Sequence, residues 1–198
     1  LSLLTKGEAL LELMIAMGYD AMGVGNHEFD YGWQNFEEQQ SRVAFPILCA
    51  NVRYRRKEGE RPIRFCRPHA ILERDGVRLG VVSVMGARAA KYTIMPSKVD
   101  GLEFVDPLAE AAAQVALLRP AVDVVVVLGH QGLPGPMQTD AENDPSVQRP
   151  LDEDLDFCGA IPGIDVYVAA HSHHGIETPL VHPKTGTILV QSYGYGTR

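Results

Sequence analysis

The run Val122-Asp123-Val124-Val125-Val126-Val127-Leu128-Gly129-His130 constrains the fold of this chain more than any other stretch. A strand with one wet face alternates apolar and polar residues. A nearly unbroken β-branched run predicts a strand covered on both faces, in a central sheet between layers. The segment before it supplies one cover. Asp106-Pro107 reads as a helix N-cap followed by proline at the first helical position. The alanine-rich stretch from there to about Leu118 is helical and stops before Pro120. A helix feeding an apolar strand is the α/β pattern.

The rest of the chain mixes the same units with hairpins. Thr5-Lys6-Gly7-Glu8 has the form of a capping box, and Leu10, Leu11, Leu13, Met14 and Met17 follow at helical spacing, with Gly18 as a stop. Tyr19 to Val24 reads as a buried strand, Trp33 to Arg42 as a polar helix and Phe45 to Val52 as the next strand. Residues 53 to 67 carry six Arg and one Lys and read as a solvated loop or hairpin. Ala70 to Val84 is a hairpin about Asp75-Gly76, a strong two-residue turn signal. Residues 131 to 150, with four Pro and two Gly, form a long loop, and Leu151 to Phe157 a short acidic helix. Ile164 to Ala169 is a strand, and 179–182 with 187–191 make a closing hairpin.

Composition narrows the partners. A length of 198 residues supports one good core, and 45% apolar with 22% charged residues is ordinary for a globular protein. The net charge of −7 argues against a nucleic-acid partner. A small anionic substrate remains compatible with it, because a bound metal reverses the sign locally. No apolar run approaches the roughly 18 residues that span a bilayer. Cys49, Cys66 and Cys158 are too few and too scattered for a disulfide framework and are read as buried free thiols.

The seven histidines are unevenly placed. His27 follows the first strand in Gly25-Asn26-His27-Glu28. His130 ends the valine strand. His171 and His173 follow the next strand, with His174 beside them. Parallel strands would bring these ends to one edge, where α/β proteins build their sites. A lone His at a strand end is a polar turn residue; three strand ends that all finish in His point to metal ligation. Asn26 adds a neutral oxygen, and His130 and His171 add imidazole nitrogens, a mixed shell suited to first-row ions. Such an ion lowers the pKa of bound water and makes a hydroxide nucleophile. His27 is placed to protonate a leaving group, with Asp30 holding its ring. His69 and His182 lie in hairpins and read as structural or solvated.

Together these motifs resemble a known family. Thr5 to Gly32 is similar to the 5′-nucleotidase and UDP-sugar hydrolase branch of the calcineurin-like metallophosphoesterases, and FPILCANV, VDVVVVLGHQG and IDVYVAAHSHHG resemble its later blocks in the same order. The resemblance implies a four-layer α/β sandwich of two mixed β-sheets flanked by helices, incomplete at its N-terminus. It implies two divalent metal ions (Mn, Zn, Fe, Co or Mg). Asn26, His130 and His171 would be ligands of the second, and His173 of the first. His27 would be the catalytic histidine and Asp30 its partner. The substrate would be a small phosphoester, a nucleotide above all, and the location periplasmic, extracellular or cell-surface.

Two departures stand out. The family's Asp-x-His and metal-bridging Gly-Asp motifs, and its C-terminal nucleotide-binding domain, fall outside residues 1–198, which are therefore expected to be part of a longer protein and of uncertain activity alone. The glycine usual before His-x-His is Ala170. The alternatives are a non-catalytic metal- or nucleotide-binding domain that keeps the fold, and a structural zinc site on His130, His171 and His173.

Overall fold

The computed structural model describes residues 2–132 and 151–194. Most of the loop expected over 131–150 lies outside them. Two helical pieces, α1 (Ser2–Thr5) and α2 (Glu8–Ala16), open the chain. Lys6 and Gly7 between them have φ of 49° and 95°. The expected capping box does not form. A left-handed Gly7 takes the cap position, since a residue without Cβ adopts that conformation at little cost. The Thr5 hydroxyl accepts from the Ala9 N–H at 3.3 Å, and Glu8 pairs with Arg42.

There follow β1 (Met22–Gly23), a 3₁₀ turn at His27–Phe29, α3 (Trp33–Gln40), β2 (Ile47–Leu48), β3 (Val52–Tyr54) and β4 (Ile63–Arg64). Next are β5 (His69–Arg74), β6 (Val77–Met85), α4 (Ala87–Thr93), a 3₁₀ turn at Pro96–Lys98, β7 (Leu102–Phe104) and α5 (Pro107–Leu118). β8 (Val124–His130), α6 (Asp152–Ala160), β9 (Val166–Ala170), β10 (Leu180–Val181) and β11 (Ile188–Val190) complete the described residues.

The main sheet is mixed, in the order β10-β11-β9-β8-β6-β5. β6, β8, β9 and β11 run parallel; β5 and β10 are antiparallel at the edges. β1 and β2 pair parallel in a second small sheet, and β4-β3-β7 form a third, antiparallel one. The chain is thus an α/β sandwich of mixed sheets flanked by helices. One core gathers Val82, Val84, Val125, Val127, Tyr167 and Leu189 of the main sheet with Val115 and Leu118 of α5 and Phe157 and Cys158 of α6. The other gathers Leu11, Val24, Phe29, Phe36, Ile47, Phe65, Met85 and Leu102.

β8 differs in one respect from the expectation of full cover. Val125, Val127 and Gly129 are buried, while Val124, Val126, Leu128 and His130 are half-buried. The helices seal the first set. The small β1–β2 sheet covers the second in part, packing so closely that a Cβ on Gly23 would lie 2.7 Å from Ser83 Oγ and 3.1 Å from Leu128 Cβ.

The strand expected over 45–52 is broken, because β2 and β3 belong to different sheets. Asn51 sits at the break, fully buried. Its Nδ2 donates to the carbonyls of Met85 (2.8 Å) and Val105 (3.0 Å), and its Oδ1 accepts from the Met85 N–H at 2.9 Å. One side chain thereby ties β6, the segment after β7 and the β2–β3 junction. Asn51→Ala would strand three buried backbone groups at about 1–3 kcal/mol each. A large drop in the urea midpoint is expected, and an unchanged midpoint would show that the junction holds without it.

The basic excursion is the expected solvated hairpin, β3 pairing antiparallel with β4 and residues 55–63 exposed between them, and only two of its arginines turn inward. Arg53 and Arg64 converge on Glu110 of α5, Arg64 at 2.9 Å, and all three are largely shielded from solvent. The arginine forks are part of how the third sheet is fixed to α5. All three cysteines are free and buried. No described helix is long and apolar enough to cross a membrane.

Candidate active site

The three strand ends that matter reach one region by two different routes. β8 and β9 are parallel neighbours, with His130 paired in register to Ala170. Their carboxyl ends therefore put His130 and His171 side by side, with ring centroids 4.6 Å apart. β1 belongs to another sheet, so the expectation of a single shared edge is corrected: Asn26 and His27 arrive by packing of one sheet on another. The contact is close. A Cβ on Gly25 would lie 2.6 Å from the His130 ring, and Asn26 Oδ1 is 2.8 Å from His130 Nε2.

Alternation along β8 explains the direction of His130. Successive side chains point to opposite faces. Gly129 faces the helices, and His130 faces the β1–β2 sheet with Leu128. The chain after β9 bends sharply. His171 has φ of 74° and His173 of 61°, both left-handed. The Ser172 N–H donates to the Ala170 carbonyl at 2.9 Å, a γ-turn bond around His171. Such backbone costs of order 1–3 kcal/mol per residue and persists where the surroundings enforce it. Ala170 itself lies in extended β9, so alanine meets no left-handed requirement there.

Gln191, just past β11, is one enforcing group, and nothing in the sequence singled it out. It is buried. With its carboxamide oxygen facing the donors, it accepts from the N–H groups of His174 (2.8 Å) and His173 (3.1 Å), and its nitrogen lies 3.1 Å from Ser172 Oγ. The His173 ring lies against Gly194, where a Cβ would sit 2.8 Å from it.

Burial sets the ionisation of the two inner histidines. Desolvation, with His171, His27 and His173 adding like charge, pushes the His130 pKa down to about 3. Desolvation, with His173 and His27, takes that of His171 down to about 4. Both rings are neutral near pH 7 and keep a basic nitrogen. His171 Nε2 is buried with no hydrogen-bond partner. An orphaned imidazole nitrogen beside a second neutral imidazole and an amide oxygen is a donor set that fits a divalent first-row ion. Among the described residues there is no ready group of three or more His, Cys, Asp or Glu that could hold a metal. The third donor beside His130 and His171 is the amide of Asn26.

His27 stands at the exposed rim on the 3₁₀ turn. Its Nδ1 is 2.9 Å from Asp30 Oδ2, and the two side chains are 73% and 48% exposed. One residue on, Glu28 turns inward. Its Oε2 accepts from the Gly25 N–H at 2.6 Å and so closes the turn that presents Asn26. Burial raises the Glu28 pKa, against the lowering by that bond. No role for Glu28 is legible in the sequence, since its partner is a backbone group visible only once the turn is built. Of the other histidines, His69 Nδ1 lies 2.7 Å from Gln114 Oε1, and His182 Nδ1 lies 3.0 Å from Thr185 Oγ1, both structural contacts.

The fold is the α/β sandwich of the calcineurin-like phosphoesterases. Residues 6–175 match the family model of the calcineurin-like phosphoesterases, and the chain belongs to that family. It is similar to a 5′-nucleotidase of Vibrio parahaemolyticus, at 29% identity over 92% of this chain and 34% of the relative. It is equally similar to the protein UshA of Yersinia enterocolitica, at 29% identity with the same coverage. Among solved structures it resembles the Thermus thermophilus sulfate thiohydrolase SoxB, with a TM-score of 0.76 at 22% identity, over 97% of this chain and 31% of that one. A 5′-nucleotidase precursor of the same species gives 0.71 at 24% identity, over 95% and 36%. The structural likenesses bear on the fold alone. The chain spans about a third of the length of the relatives it matches.

Proposed function

We infer that this chain is the core of a phosphoester hydrolase that depends on divalent metal and acts on nucleotides, as a 5′-nucleotidase does. Membership of a hydrolase family supports the general reaction. The observation that carries the specific reading is Asn26 Oδ1 on His130 Nε2 beside the stacked His171 ring, whose Nε2 has no partner, with the His27–Asp30 pair at the rim. Asn26, His130 and His171 would hold one ion and His173 would contribute to a second, with further donors from outside residues 1–198. When bound, the ions supply the Lewis acidity and the activation of water that phosphoester hydrolysis requires.

The chain's own residues do the remaining work. As neutral imidazoles, His130 and His171 would bind an ion with no imidazolium charge to displace, and the Nε2–H that His130 gives to Asn26 Oδ1 would move to Nδ1 on ligation. Asp30 accepts the Nδ1–H of His27 and holds the ring, and from the imidazolium form the Nε2–H passes to the departing oxygen, leaving the neutral ring with its proton on Nδ1. The His27 ring is exposed, so it is reachable by a substrate entering from solvent. Location outside the cytoplasm belongs to the same proposal and is checked by cell fractionation.

The test uses the complete protein, stripped by chelator and resupplied with Mn(II) or Zn(II). Phosphate release from nucleoside 5′-monophosphates, cyclic nucleotides and UDP-sugars is then measured. Release that requires the metal is expected. Metal binding without turnover would favour the non-catalytic domain. Sulfate release from organic sulfur esters with no phosphate release would overturn the phosphoester reading. Unfolding of the metal-free protein would support a structural ion instead.

A further inference from the structure

On the helix side of the main sheet, opposite His130, lies a polar chain set in the apolar core. Gln131 Nε2 donates to Tyr167 Oη at 2.5 Å, and Tyr167 Oη donates to Asp154 Oδ1 at 2.8 Å. Tyr167 and Asp154 are fully buried, and Gln131 nearly so. The three come from α6, β9 and the residue after β8. Asp154 Oδ2 has no hydrogen-bond partner, and burial pushes the Asp154 pKa up to about 7, with Glu153 adding to the rise and the bonds from Tyr167 and Gln131 opposing it. Taking a carboxyl and a phenol out of water is unfavourable, and apolar residues of similar shape often replace buried polar groups without loss of stability. Phenylalanine and leucine would pack this core as stably. The polar chain needs a reason beyond packing.

Its position supplies one. The Tyr167 ring runs over Gly129, where a Cβ would lie 1.8 Å from the phenol oxygen. Gln131 is seated against Gly86, whose own Cβ would meet Gln131 Cα at 2.9 Å. The Gly86 N–H donates to the His130 carbonyl at 2.8 Å. The residues on both sides of His130 are thus held on one face of the sheet by Tyr167, and alternation sends the His130 ring out of the other. The same β9 strand that carries Tyr167 leads into His171.

We propose that Asp154, Tyr167 and Gln131 are positioning residues for His130: the buried bond chain fixes the backbone on either side of it and so holds its ring between Asn26 Oδ1 and the His171 ring. The proposal rests on the reading of His130 as a metal donor. Groups that orient a ligand from behind it govern metal affinity about 10–100-fold when removed.

The experiment titrates Mn(II) and Zn(II) into the complete protein and follows the His130 ring by NMR in the metal-free state. Tyr167→Phe keeps the ring and severs the chain. It is expected to weaken metal binding at least about tenfold and to release the His130–Asn26 bond in the metal-free protein. Thr187→Val is the control. It removes another buried hydroxyl bond, from Thr187 Oγ1 to the Ile164 carbonyl, at the far end of the same sheet. It is expected to lower the melting temperature and leave metal affinity unchanged. Should Tyr167→Phe not fold, Gln131→Met leaves the Tyr167–Asp154 bond intact and is expected to weaken binding in the same way. Wild-type affinity in the folded variant, or an equal loss in Thr187→Val, overturns the proposal and leaves the metal reading standing. A wild-type protein that binds neither metal overturns both.

Discussion

His171→Ala is expected to strip the complete protein of its tightly held ion. The His171 side chain is buried, neutral at physiological pH and carries a partnerless Nε2, so nothing in the fold is satisfied by that nitrogen. Alanine removes a donor and leaves Asn26 and His130 bonded to each other, which is a poor invitation to a cation. Groups one step removed from an ion already cost 10–100-fold in affinity, so a direct donor should cost more than about a hundredfold. Elemental analysis after dialysis against low metal measures Mn and Zn per chain. The wild type should retain metal and His171→Ala should not. Equal retention would remove His171 from the ligand set. The melting temperature is measured alongside, because truncating a ring packed on His130 leaves a cavity, and metal content is compared on folded protein.

His27→Ala should separate from that result cleanly. The ring is at the rim and its visible bond is to Asp30, so its removal should leave metal content intact while turnover falls by about 10²–10⁴-fold, the usual worth of a placed proton donor. The loss should depend on the leaving group. A nucleoside 5′-oxygen is a poor leaving group and needs the proton. An aryl oxygen of low pKa does not, so an aryl phosphate should lose far less activity. Asp30→Asn should act in the same direction, by freeing the ring. A loss equal for alkyl and aryl substrates would mean that His27 does not deliver the proton, and loss of metal in step with activity would make it a ligand.

The fold was largely readable because its signals are local. The valine run, the Asp106-Pro107 start, with Asp106 Oδ1 accepting from the Leu108 N–H at 3.0 Å, and the Asp75-Gly76 turn each carry their own physics within a few residues. The capping box misled because Gly7 offered a cheaper left-handed break, and a four-residue pattern does not weigh that competition. The strand over 45–52 misled because Asn51 spends its side chain on backbone groups 34 and 54 residues away. Long-range partners leave no local trace. For the same reason Glu28, Gln191 and the Asp154–Tyr167–Gln131 chain were silent in the sequence: their meaning lies in what they touch.

By itself the sequence determined the layers, the central strand and the residue types able to bind metal at three strand ends, since periodicity and turn chemistry are properties of neighbouring residues. Only the tertiary structure decided that the first of those ends arrives from a different sheet, by the close approach of Gly25 to His130, and that His171 is left with an unpaired nitrogen. Those two facts depend on how sheets pack and on which groups find partners across the fold. Hydrogen bonds and van der Waals contacts act over a few ångströms in space, whatever the distance along the chain.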